Sequence, residues 1–75
     1  MNVIILKTLM NGTHERTLTA FGTLDLALIN LYGSMRACVG DSNVKLVCAM
    51  VIDDTGFIHK TDRYERATES EEPEA

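Results

Sequence analysis

The segment Val3-Ile4-Ile5-Leu6-Lys7-Thr8-Leu9-Met10 constrains this chain more than any other, because its apolar side chains alternate onto both faces of a strand. A small domain with a single core needs only one apolar face per strand. Residues 43–52, NVKLVCAMVI, behave the same way. Val44, Leu46, Cys48, Met50 and Ile52 fall on one face, and Lys45, Val47, Ala49 and Val51 on the other. These two segments should be the central strands of a sheet.

The remaining elements follow from turn and cap signals. Asn11-Gly12 after a strand at 2–10 predicts a two-residue type I′ hairpin, which needs positive φ at both positions. Residues 13–21, THERTLTAF, are threonine-rich and polar at their start, as an edge strand is. Thr23 is a candidate N-cap, and Asp25 suits the positive end of a helix dipole. The spacing predicts a helix over 24–39, with Leu24, Leu28, Leu31, Met35 and Cys38 on one stripe beside Ala27. Gly40 then reads as a C′ stop. The turn DDTG, with Gly56 at a position that tolerates positive φ, leads from strand three into a fourth strand over 57–65.

The order is therefore ββαββ. A helical crossover on one face joins parallel strands and is right-handed. Placing strand three beside strand one gives the order 2-1-3-4, with every neighbouring pair antiparallel and the two polar strands at the edges. The expected fold class is α+β: a four-stranded antiparallel sheet with one helix on one face. Residues 1–66 form the single domain.

One helix covers one face. The other would carry Val3, Ile5 and Leu9, or Ile4, Leu6 and Met10, together with Val47, Ala49 and Val51. Monomers rarely expose patches of that kind. A domain of 75 residues is also marginal alone and usually gains help from disulfides, metals or association. Cys38 and Cys48 lie in apolar surroundings behind a start that lacks a basic n-region, which predicts buried free thiols in a reducing cytoplasm. Cys38, Cys48, His14 and His59 lack metal-ligand spacing, so neither a metal nor another cofactor is expected. No apolar segment is long enough to span a bilayer. A homo-oligomer, most simply a two-fold dimer, is the expected assembly. Leu26, Ile29 and Ala37 lie off the main helix stripe and are further candidates for contact with a neighbour.

The net charge of −4 belongs to the end of the chain. Glu69, Glu71, Glu72 and Glu74 crowd residues 67–75 with Pro73, an acidic segment expected to be disordered. Acids and bases balance in residues 1–66, which argues against nucleic-acid binding through clustered Lys and Arg.

Catalytic constellations are absent from the pattern. There is no Ser/His/Asp order and no phosphate-binding glycine loop. Cys38 and His59 both come from elements with structural roles, and Asp53-Asp54 sits where turns favour aspartate for backbone reasons. The notable cluster is HKTDRYER, with His59, Lys60, Arg63, Tyr64 and Arg66 on the last strand and its exit. Arginine grips phosphate bidentately, and tyrosine stacks on bases. Tyr32 and Arg36, one helical turn apart, suit a pocket near a subunit boundary. The candidate ligand-binding residues are Arg36, Tyr32, Lys60, Arg63 and Tyr64. The competing reading is an edge strand kept polar against aggregation, which applies equally to His14 and Arg16.

The segments NVIILKTLMNGT and VIDDTGFIHKTDRYER resemble small uncharacterised proteins encoded by phages and prophages, over residues 2–66. Some phage proteins of this size antagonise bacterial immunity in the host cytoplasm, as oligomeric sponges for nucleotide signals or as inhibitors of CRISPR nucleases. The resemblance implies a binding function without catalysis. The expected ligand is a small anionic nucleotide held between subunits. The alternative is a protein partner, such as a nuclease or other host factor, bound through a sheet edge or the acidic tail.

Overall fold

A computed structural model describes residues 1–66; the acidic segment 67–75 lies outside the described residues. The elements are β1 (Asn2–Leu9), β2 (His14–Ala20), α1 (Leu24–Val39), β3 (Val44–Ile52) and β4 (Ile58–Glu65). The sheet runs β2-β1-β3-β4, with every neighbouring pair antiparallel. Fold class and strand order match the expectation from sequence.

Thr23 caps α1 as its sequence suggests. Its backbone is extended, and its hydroxyl accepts a hydrogen bond from the Leu26 N–H at 3.2 Å. Ala27, Leu31, Met35 and Cys38 are buried, with Leu24 and Leu28 packed partly against them. They rest on Val3 and Ile5 of β1 and on Val44, Val47, Ala49 and Val51 of β3.

This corrects the expected orientation of β3. Val47, Ala49 and Val51 lie under the helix, and Leu46, Cys48, Met50 and Ile52 face the other way. The bulky helix stripe of Leu31 and Met35 packs on the smaller valines and on Ala49, which is 1% exposed. A register shift between Thr8 and Leu9 brings Val44 to the helix side as well.

The two hairpins are closed by the same device, and it is not the two-residue turn expected at Asn11-Gly12. The Leu9 N–H donates to the Thr13 carbonyl at 2.8 Å, and the Gly12 N–H to the Leu9 carbonyl at 2.9 Å. The Asp53 N–H donates to the Phe57 carbonyl at 3.0 Å, and the Gly56 N–H to the Asp53 carbonyl at 3.0 Å. Each loop thus has three residues with glycine last, at φ 91° for Gly12 and 93° for Gly56, while Asn11 keeps a negative φ.

The end of α1 also departs from expectation. Gly40 is right-handed, with φ −81°, so it is no left-handed stop. Carbonyls at and just beyond the helix end are gathered instead by Arg66, twenty-six residues on. Its guanidinium donates to the carbonyls of Val39 and Asp41 at 2.9 Å each, Val44 at 3.0 Å and Cys38 at 3.4 Å. That fastens the exit of β4 to the end of the helix.

Candidate functional site

With α1 on one side, no element among the described residues covers the opposite face of the sheet. The pairing registers fix its layout in rows across the strands. Leu18, Ile4, Met50 and Thr61 form one row; Arg16, Leu6, Cys48 and Arg63 form the next; His14, Thr8, Leu46 and Glu65 form a third. Ile52 and Ile58 extend the apolar region at one end. Leu6 is 42% exposed, Ile58 48% and Leu18 68%. The face therefore has an apolar middle on β1 and β3, and its edge strands carry Leu18 and Ile58 alongside the polar groups of Arg16, His14, Thr61, Arg63 and Glu65.

The central row is an apolar floor, Leu6 and Cys48, closed by a guanidinium at each end. At about 4.8 Å between strands, Arg16 and Arg63 stand roughly 14 Å apart along the backbone. Two shallow concavities meet at Cys48. One, of about 520 Å³, runs towards Arg16, His14 and Leu46. The other, of about 400 Å³, runs towards Met50, Thr61 and Arg63. Both volumes fall in the range that small ligands occupy. Arg63 also holds Glu65 at 3.2 Å, in a pair well exposed to solvent.

The other candidate residues separate. Lys60, Asp62 and Tyr64 pair with Val51, Ala49 and Val47, which puts them on the helix side of the sheet, away from Arg63. There the Lys60 ammonium lies 5.8 Å from the centre of the Tyr32 ring, a cation–π contact between β4 and α1. Tyr64 stacks near Arg66 instead, at 5.4 Å. Arg36 is exposed on the helix. Within one chain, then, Tyr32 and Lys60 come together, and Arg63 belongs to a different surface.

His59 and Asp53 organise the β3–β4 loop. The Asp53 carboxylate accepts hydrogen bonds from the Thr55 hydroxyl at 2.6 Å, the Thr55 N–H at 2.9 Å and the Phe57 N–H at 3.1 Å, and meets the His59 ring at 2.9 Å. The Thr55 hydroxyl, followed by His59, holds this carboxyl well below its ordinary pKa. The His59 ring in turn packs edge-on against Phe57, with 4.9 Å between centres.

Both cysteines are free. Burial pushes the Cys38 thiol pKa up, which leaves it unreactive. Cys48 is only half-buried, in the floor of the open face, and so is not the fully buried thiol expected from sequence. Among the described residues no three His, Cys, Asp or Glu side chains gather where they could hold a metal ion. No helix among them is long and apolar enough to cross a membrane.

Arg16 is the residue that sequence reasoning passed over as an edge charge. Its partner depends on the hairpin loop. A two-residue turn sets Thr17 opposite Leu6, whereas the three-residue loop sets Arg16 there. That one-residue slip turns the side chain to the other face. No family model matches the chain, and no curated protein or solved structure matches it.

Proposed function

We propose that this chain is a small non-enzymatic binding protein that works as a homo-oligomer and sequesters an anionic, nucleotide-type ligand between subunits. The observation that carries the reading is the open sheet face, with its apolar middle and its central row ended by Arg16 and Arg63. Four strands about 4.8 Å apart and about 25 Å long give a footprint near 500 Å² per copy. Two such faces packed together bury about 1,000 Å² in total, enough for a specific contact. An apolar centre with a charged and polar margin is the usual anatomy of such contacts. Arginines at that margin supply bidentate donors for phosphate. The resemblance to phage-encoded proteins suggests the setting, a counter-defence sponge in the host cytoplasm.

Light scattering during gel filtration checks the assembly. The expected result is a dimer or higher oligomer, reduced to a smaller, still folded species by Met50→Lys. A wild-type protein that stays monomeric at micromolar concentration overturns the assembly. The ligand is checked by thermal shift against cyclic and ADP-ribose-type nucleotides, followed by denaturation and recovery. A raised Tm that Arg63→Ala abolishes, with the nucleotide returned intact, supports sequestration. Cleaved nucleotide would show an enzyme. If no nucleotide raises the Tm and one host protein is recovered in stoichiometric amount, the protein-binding alternative replaces this reading.

A further inference from the structure

The two edges of the sheet are guarded very differently. β4 carries Lys60, Asp62, Arg63 and Glu65, and its pairing with β3 is broken by a register shift between Val51 and Ile52. Charges and bulges are the usual devices that keep an edge from pairing. β2 also carries charges, Glu15 and Arg16, but it pairs with β1 in unbroken register, contains no proline, and is exposed at all seven residues. The helix, packed on β3, β1 and β4, leaves it as a projecting shelf.

The ladder shows which groups of β2 are free. The Thr13 carbonyl bonds to the Leu9 N–H, and the Phe21 N–H to the Met1 carbonyl. Backbone bonding alternates along an antiparallel strand. The odd-numbered residues of β2 therefore turn their N–H and C=O towards β1. His14, Arg16, Leu18 and Ala20 turn theirs outward, and among the described residues β2 has no second neighbour in the sheet.

We propose that β2 is a homodimerisation edge, pairing antiparallel with β2 of a second copy about a two-fold axis at Thr17. The bonding parity selects the geometry. Outward groups belong to even residues, so even must meet even. The axis then stands perpendicular to the sheet, and the two open faces lie on the same side of one eight-stranded sheet. Charge selects the register. An axis at Glu15 or at Arg16 sets like charges directly opposite each other, which is destabilising. An axis at Leu18 uses only residues 16–20. The axis at Thr17 uses the whole strand, setting Arg16 opposite Leu18, His14 opposite Ala20 and Glu15 opposite Thr19 of the second copy. The two Arg16 side chains are then diagonal neighbours, about 7–8 Å apart. This contact uses a different surface from the face-to-face packing proposed above and stands or falls separately from it.

Thr17 on the axis would form a non-hydrogen-bonded pair with its own copy, with Cα atoms about 4.5 Å apart, within disulfide reach. Thr17→Cys in a Cys48→Ser background should cross-link into a dimer under mild oxidation, seen on a non-reducing gel. Thr19→Cys, whose counterpart is Glu15, should not. The uncross-linked wild type supplies a second readout. The amides of Arg16 and Leu18 should exchange with deuterium as slowly as those of Glu15, Thr17 and Thr19. Adding Met50→Lys, which targets the other interface, should leave both results unchanged. Failure of the Thr17→Cys cross-link, equal cross-linking at Thr19→Cys, or fast exchange at Arg16 and Leu18 beside slow odd-numbered neighbours overturns the proposal.

Discussion

Val47, Ala49 and Val51 alternate along β3 with Leu46, Cys48, Met50 and Ile52, and the two sets have opposite surroundings. The first set is at most 1% exposed beneath α1. The second is half-buried on the open face, although its side chains are on the whole larger. Greater hydrophobicity did not decide which face the helix would cover. Close approach did, because Ala49 and the valines let α1 settle near the backbone, where the dense packing of an interior is reached. The larger side chains remain where a separate partner can use them.

The largest expected effect comes from placing a charge on each face in turn. Val51→Glu puts an unpaired carboxylate beneath the helix and should cost at least about 4 kcal/mol, more than a marginal domain can lose. Met50→Glu, one residue earlier, should leave the circular dichroism spectrum intact and change only the association state. Equal damage from both would end the distinction between a core face and a contact face.

The helix terminus gives the next effect. Arg66→Ala removes the guanidinium that serves four carbonyls, and hydrogen bonds from a charged donor are worth about 1.5–3 kcal/mol. A loss of about 2 kcal/mol in urea unfolding is expected, with Arg66→Lys recovering only part. Arg66 closes the HKTDRYER cluster, and the experiment should show stability falling without a change in binding.

Asp53 offers a pH-dependent effect. Its pKa is lowered on folding, so its contribution is complete above the unfolded value of 3.8 and is lost as pH falls below it. Thermal melts between pH 5 and pH 2 should therefore fall more steeply for the wild type than for Asp53→Asn. The glycines give the smallest effects. Gly33 has nothing within 4 Å of an added Cβ, so Gly33→Ala should stabilise by up to about 1 kcal/mol. Gly40 is right-handed, and an added Cβ would make only ordinary contacts at 3.6 and 3.8 Å. Gly40→Ala should stabilise by about 0.5 kcal/mol.

The fold was legible because periodicity and punctuation agreed. The helix stripe, the Thr23 cap and the contrast between greasy and polar strands each pointed to the same sheet order. The site was less legible, because it depends on register. Register followed from a loop whose length Asn11-Gly12 suggested wrongly, and one residue of slip decides whether Arg16 joins Arg63 or opposes it. The HKTDRYER cluster misled for a related reason. Neighbours along a strand point to opposite faces, so Arg63 and Tyr64 cannot share a surface within one chain. The length of reach of Arg66 carried no local signal at all.

The twin hairpin loops have a consequence for how quickly the chain finds its fold. Each hairpin joins residues close in sequence, so both can close early and independently. The β1–β3 ladder joins Asn2 to Ile52 and must wait for the two halves to meet, with α1 as the tether between them. Pairing across such separations slows folding far more than local turns do. The rate-limiting event should thus be the docking of two preformed halves, and substitutions along the β1–β3 seam should change the refolding rate more than changes in either loop.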